Sequence, residues 1–385
     1  MRIVYCIDEM SHPGGIGRVT SVKANWWAEH GHDVWIATSN QCGKPDFYEL
    51  NPNVKRKDFA MGFQLGIDNS NLLLKAIRKI GKMKHYRREL ETFINEIKPD
   101  IVVSTFTNDS DFLYKFKDGS KKVLEFHFSH DGFNSQIKYG PKSLKNTLLL
   151  KYRLWKHEKI ARKYDAFVVL THEDAEAWKG YENLHVIHNM STINPSMVST
   201  CEEKRVVAIG RFDFQKQFGR LVEIWGGDIA KSNPDWKLLI YGQGPEEKAL
   251  QMQIDALGLT GKIALHKPTN KITDVYCNSS ILTMTSCYEG WGLVITEAME
   301  CGVPAVAYAC KCGPRDIIDD GINGFLIDEG DKLDFAEKLQ RLISNTDERK
   351  AFGSRAKEKS KCYSVDVIMQ QWEKLFNDLT YSSGQ

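Results

Sequence analysis

Ser286-Cys-Tyr-Glu-Gly-Trp-Gly-Leu-Val-Ile-Thr-Glu-Ala-Met-Glu-Cys-Gly-Val-Pro304 reads as one complete strand–turn–helix–turn–strand unit. An apolar run, Ser280–Met284, leads into it, and Gly290-Trp-Gly292 makes the turn. A helix then spans about Leu293 to Cys301 and breaks at Gly302-Val-Pro304, where a second apolar run, Pro304–Tyr308, begins. Short, continuous apolar runs of this kind are how strands buried on both faces of a parallel sheet read.

Working outward, the same alternation recurs along the whole chain. In the first half the runs are Arg2–Ile7, Asp33–Thr38, Asp100–Ser104, Lys121–His127, Asp165–Thr171 and Leu184–His188. In the second half they are Arg205–Gly210, Trp236–Gly242, Lys262–His266, Ser280–Met284, Pro304–Tyr308 and Phe325–Asp328. Helix-length segments lie between them, such as Gly17–His30, closed by Gly31, and Leu72–Ile97, closed before Pro99. The polar, proline-bearing segment Asn189–Thr200 reads as a linker, and an amphipathic helix over Val365–Leu379 ends the pattern. At 385 residues the chain suits two domains. The expected α/β architecture is two Rossmann-like, doubly wound domains facing a cleft. Residues 1–190 would form the first and 191–362 the second, with 363–385 returning to the first.

The chemistry concentrates at the turn. Glycines at 290 and 292 let backbone amides approach a ligand, and the N–H groups of the helix beyond them offer a site for phosphate or sugar oxygens. Glu289 precedes the turn and Glu297 lies about one helical turn inside, so the two carboxylates are spaced for opposite ends of one extended ligand. A carboxylate accepts two vicinal hydroxyls, so one can grip a hexose and the other a ribose. Taken singly, each glutamate would read as an ordinary helix-start or solvated acid; the whole pattern is what points to a site. Arg211 and Lys216 follow the strand run Arg205–Gly210, where ligands collect in such sheets. An Arg and a Lys five apart would by themselves read as surface solubility; their position at a strand end is what makes them candidates for holding a ligand.

These segments resemble glycosyltransferase family 4, retaining enzymes of the GT-B fold. The pair Glu289 and Glu297, with seven residues between, is similar to the family's donor motif. Val206-Val-Ala-Ile-Gly-Arg-Phe-Asp-Phe-Gln-Lys216 resembles its strand-Gly-Arg-x-x-x-x-Lys segment. Leu238-Leu-Ile-Tyr-Gly-Gln-Gly-Pro245 resembles its strand-Gly-x-Gly-Pro turn. Pro314-Arg-Asp316 and Gly321-Ile-Asn-Gly-Phe-Leu326 complete the likeness over residues 205–345. The resemblance implies that Arg211 and Lys216 clamp the donor diphosphate, Glu289 holds the sugar hydroxyls and Glu297 the ribose. It places Gly210, Gly242, Gly290, Trp291, Gly292, Leu293 and Val294 around the donor, with Lys267 and Pro268 beside the base. It implies that Gly14 and Gly15, in Pro13-Gly-Gly-Ile-Gly-Arg18, close over the donor phosphates, and that His127 contacts the donor sugar, with His130 as the fallback. Asp131 and Asn108 are further candidates, for the acceptor. The reaction implied is transfer of a hexosyl or N-acetylhexosaminyl unit from a nucleotide sugar, UDP-sugar favoured, to a saccharide or lipid-linked hydroxyl, as in surface polysaccharide biosynthesis. The acceptor would attack from the face that the diphosphate leaves. No cofactor or metal is expected, since no DxD-type acid pair ends a second-half strand.

Other readings have less behind them. The loop at Pro13–Arg18 is not GxGxxG, and Asp33 opens the second strand instead of ending it, which argues against a dinucleotide enzyme. A phosphorylase would need a pyridoxal-phosphate lysine site; an epimerase or a non-catalytic sugar-nucleotide-binding protein remains the alternative. The nine Trp are scattered, with no basic–aromatic interleaving, so no nucleic acid is expected. Nine cysteines in no metal or redox spacing point to a reducing cytoplasm. The strand-like start at Arg2 predicts no signal peptide, and no apolar stretch reaches the roughly 20 residues that span a bilayer. The net charge is +2, but residues 1–190 hold 29 Lys and Arg against 23 Asp and Glu, and the remainder 23 against 27. The excess lies in Lys75–Arg88 and Lys138–Lys163, read either as solvated helix faces or as a patch for an anionic membrane or phosphate-bearing acceptor.

Overall fold

The computed structural model describes residues 1–63, 72–140 and 143–381, with the side chains of 72–76 and 139 not described. Lys142 and the last four residues of the segment 363–385 therefore lie outside the described residues, as does the side chain of Lys75.

The first-half strands are β1 (Arg2–Ile7), β2 (Asp33–Thr38), β3 (Lys55–Asp58), β4 (Ile101–Ser104), β5 (Lys121–Phe126), β6 (Ala166–Val169) and β7 (Leu184–Val186). Those of the second half are β8 (Arg205–Ile209), β9 (Lys237–Tyr241), β10 (Ile263–His266), β11 (Ile281–Met284), β12 (Ala305–Tyr308) and β13 (Gly324–Ile327). They form two parallel sheets, ordered β3-β2-β1-β4-β5-β6-β7 and β10-β9-β8-β11-β12-β13. Both are doubly wound, and strand order reverses beside β1 in one sheet and beside β8 in the other, so each sheet has its crevice between the strands that flank that reversal.

Alternation along β1 shows why the apolar runs are unbroken. Ile3, Tyr5 and Ile7 enter one core, while Val4 and Cys6 enter the core on the opposite face. The first face is covered by α1 (Gly15–Glu29) and by the C-terminal helix Val365–Tyr381, which contributes Ile368, Met369, Trp372, Leu375 and Phe376. Each such burial contributes roughly 1.5–3 kcal/mol. Specific contacts fix the helix there: Trp26 Nε1 donates to Asp366 (2.8 Å), and Phe376 stacks on Trp27. The second face is covered by α2 (Leu72–Ile97) and α4 (Leu144–Ala161), with α3 (His130–Tyr139) between β5 and α4. Residues 187–200, joining the two sheets, carry no regular structure. Among the described residues no helix is long and apolar enough to cross a membrane.

One strand escaped the sequence reading. β3 is Lys-Arg-Lys-Asp at the edge of its sheet, where one side meets solvent and charged residues are the usual occupants.

Candidate active site

The loops at the carboxyl ends of the two sheets meet face to face. Gly290, after β11, lies so close to the loop after β5 that a Cβ there would stand 2.1 Å from the His127 carbonyl oxygen. Only glycine admits that approach. Alongside, a Cβ on Gly15 would stand 3.1 Å from Leu293, and one on Gly132 3.2 Å from Tyr288. Gly292 caps the helix Leu293–Glu300 with φ +93°, the left-handed conformation that glycine adopts without steric cost.

Two buried carboxylates flank this turn. Lys216 Nζ donates to Glu289 Oε1 at 2.6 Å, and the lysine stem folds back over Gly210. Glu297 is only 2% exposed and accepts from three donors. Arg18, from α1 in the opposite lobe, forms an ion pair with it; Thr192 donates at 2.7 Å and Tyr276 at 2.9 Å. Burial works against the Arg18 charge, but Glu297 beside it prevails and the guanidinium pKa is raised. Burial, reinforced by Glu297, holds the Tyr276 phenol well above its ordinary value, so it remains a donor. The reading of Glu297 as a solvated helix residue is thereby excluded.

The His127 side chain is buried, with Nε2 3.3 Å from Glu125 Oε1. Glu125 in turn pairs with Lys23, whose ammonium lies 3.8 Å from the Trp372 ring centre. Burial alone would raise the Glu125 pKa, yet the charges of Lys23 and His127 bring it down to about 2. A fixed carboxylate thus sits behind His127. His130 is turned the other way, with Nε2 3.1 Å from Glu158 Oε1. Asp131 lies in the first turn of α3, and Asn108 approaches Asp8 at the end of β1 (3.5 Å).

The remaining candidates divide into near and far. Gly14 caps α1 and donates its N–H to the Tyr48 hydroxyl (3.1 Å). Gly242 closes β9 next to Gly210, and half-buried Val294 packs beside Leu293 in the second lobe. Arg211 leaves the end of β8 but its side chain is 75% exposed and paired with Asp213 (2.9 Å). Trp291 is buried, stacked on His188 (ring centres 4.7 Å apart) and edge-on to Tyr363, so its indole is a packing element between lobes. Lys267 pairs with Glu247 at 2.7 Å and Pro268 follows β10 in an open loop. Reading by residue type missed Thr192, Tyr276 and Glu125. It noted Arg18 only as part of a glycine-rich loop.

Comparison with known proteins accords with this geometry. Residues 13–190 match the family described as Glycosyltransferase Family 4, and residues 192–359 the family described as Glycosyl transferases group 1. The two matches together span residues 13–359 almost without a break, and the chain belongs to the glycosyltransferases that they describe. It is 29% identical to the amylovoran biosynthesis glycosyltransferase AmsD of Erwinia amylovora, over 98% of this chain and 99% of that protein. It is 32% identical to the poly(ribitol-phosphate) alpha-N-acetylglucosaminyltransferase of Staphylococcus aureus, over 56% of this chain and 45% of that protein. A variant of S. aureus TarM, crystallised with fondaparinux, alpha-GlcNAc-glycerol and UDP, superposes with a TM-score of 0.77 at 18% identity, covering 98% of this chain and 99% of that one. The two-lobed architecture of this glycosyltransferase is the GT-B fold.

Proposed function

We propose that this glycosyltransferase transfers a hexosyl or N-acetylhexosaminyl unit from a UDP-sugar to a hydroxyl of a glycan or lipid-linked saccharide, with retention, in surface polysaccharide biosynthesis. The observation that carries the reading is that the Lys216–Glu289 pair, the helix N-terminus at Leu293 and Glu297 all stand on the segments that follow β8 and β11, the strands at the switch point. In this reading Lys216 and the helix N–H groups take up the charge that grows on the diphosphate as the glycosidic bond breaks. Glu289, adjacent to Lys216, accepts from sugar hydroxyls. Glu297 accepts from the ribose, and because its oxygens already hold three donors, ribose enters by exchange with Arg18, the one donor that belongs to the opposite lobe. Arg211 reaches the diphosphate by leaving Asp213. His127, backed by Glu125, faces the sugar from the first lobe. That role of His127 follows from the family resemblance, whereas the division into 1–190, 191–362 and a returning 363–385 rests on the strand–helix alternation to either side of the linker Asn189–Thr200.

Retention is supported by the alpha linkage named for the S. aureus relative, and UDP by the ligand of the TarM structure. The amylovoran relative supports a role in polysaccharide assembly. Nine unpaired thiols favour the cytoplasm. The test is incubation with UDP-N-acetylglucosamine, UDP-glucose, UDP-galactose and GDP-mannose, reading nucleoside diphosphate release and the anomeric proton coupling of any product. UDP release with an α-linked product is expected; neither binding nor turnover at millimolar donor would sink the proposal, and a β-linked product would remove retention.

A further inference from the structure

The outer face of α4 is unlike a solvated helix. Leu144, Leu148, Tyr152 and Trp155 follow one another at helical spacing, so they form a single stripe along it. All four are exposed, Leu144 by 78% and Leu148 by 61%. The buried side of the same helix is occupied by Ile160 and Ala161, with Leu150 and Leu154 against the core, so among the described residues nothing covers the stripe. Lys145, Lys151 and Lys159 border it, and Lys159 lies 4.1 Å from the Trp155 ring centre. Where the stripe ends, an open pocket of about 310 Å³ is lined by Trp155, Lys156, Lys159, Lys163, Tyr114 and Asp111 among others. On α2, which covers the same face of the sheet, Ile77 and Ile80 are likewise exposed between Arg78, Lys79 and Lys82.

We propose that this face docks the first lobe on an anionic phospholipid bilayer. The apolar stripe would enter the headgroup region, and the pocket of lysines would receive lipid phosphate. An apolar stripe bordered by cations is the pattern of helices that lie in a membrane interface, where buried area and attraction to anionic lipid add. A partner surface of protein would have to match both the stripe and the surplus of lysines; a bilayer of anionic lipid supplies both at once. The orientation also has a consequence for the reaction. α4 leads into β6, so its first turns lie at the carboxyl edge of the sheet, the edge where the two lobes meet. A docked enzyme would therefore present its crevice to a hydroxyl carried on a lipid.

The test is flotation of the full chain with phosphatidylcholine vesicles, with and without phosphatidylglycerol, in the absence of donor, so that it is independent of turnover. Binding only to the phosphatidylglycerol vesicles is expected. K145Q/K151Q/K159Q should weaken it by about fivefold per lysine, and L144E/L148E should weaken it at least tenfold. Both variants alter exposed positions, and circular dichroism should match the wild type. The proposal is overturned if the wild type does not float, if both variants float equally well, or if the stripe instead supports a lipid-free dimer that L144E/L148E dissociates, which would assign it to a second copy of the chain.

Discussion

Gly290→Ala isolates what the contact between the lobes does for catalysis. Gly290 is not among the residues with positive φ, so alanine fits its backbone. The added Cβ would stand 2.1 Å from the His127 oxygen, 2.9 Å from its carbonyl carbon and 3.3 Å from Phe128 Cα, all in the opposite lobe. Relief requires the two surfaces to part by about 1 Å before ordinary contact distances return. A displacement of that size between reacting groups costs on the order of a hundredfold in rate. Lys216, Glu289 and Glu297, which we propose bind the donor, all belong to one lobe, so UDP affinity should change far less than turnover. Overpacking a closed core would cost about 1–3 kcal/mol, but here the lobes can separate without breaching either core, and thermal unfolding should barely move. UDP release with acceptor, calorimetric UDP binding and a melting curve on one sample would separate these effects. Gly81→Ala, in the middle of α2, is the control, since no atom lies within 4 Å of a Cβ there. Wild-type turnover in the Gly290→Ala variant would refute the reasoning, as would a melting temperature lowered as far as a core substitution lowers it.

Glu297→Gln keeps the shape of the side chain but removes the charge that three donors share, so each charge-assisted bond to ribose weakens. At about 1.5–3 kcal/mol for such a bond, the donor KM should rise roughly 10- to 100-fold, measured by initial rates over a donor series; an unchanged KM removes Glu297 from the donor site. Glu125 offers a stability test. Its folded pKa of about 2 lies below the ordinary 4.5, so it contributes stability above pH 4.5 that is lost as pH falls towards 2. Replacing the pair together, as K23M/E125Q, should abolish roughly 2 kcal/mol of the wild-type loss between pH 5 and pH 3, read from urea midpoints; identical pH profiles for the two proteins would contradict the assignment.

The amino-acid sequence displays whatever depends on local order. Strand after strand appears as an apolar run because both faces of each sheet are covered, as the split of Ile3, Tyr5 and Ile7 from Val4 and Cys6 between two cores demonstrates. Charged β3 was invisible for the converse reason: an edge strand owes its place to its neighbour's backbone, and its side chains carry no apolar signal. Glu289 precedes and Glu297 follows the same short turn after β11, so their spacing alone brings them to the same end of the second sheet.

The amino-acid order by itself determined the doubly wound architecture, the switch-point loops and the residues that end on them, because each of these follows from periodicity and turn chemistry over a few neighbouring positions. Which groups those residues face was decided only by the tertiary structure. Arg18 and Glu297 stand 279 positions apart, and the bond between them exists only because two lobes close on each other. The same closure turns Trp291 inward against His188, and makes Gly290 a point of backbone contact as well as a turn. Arg211 shows the limit from the other side: its place at a strand end is local, but its pairing with Asp213 is a choice among rotamers made in solvent.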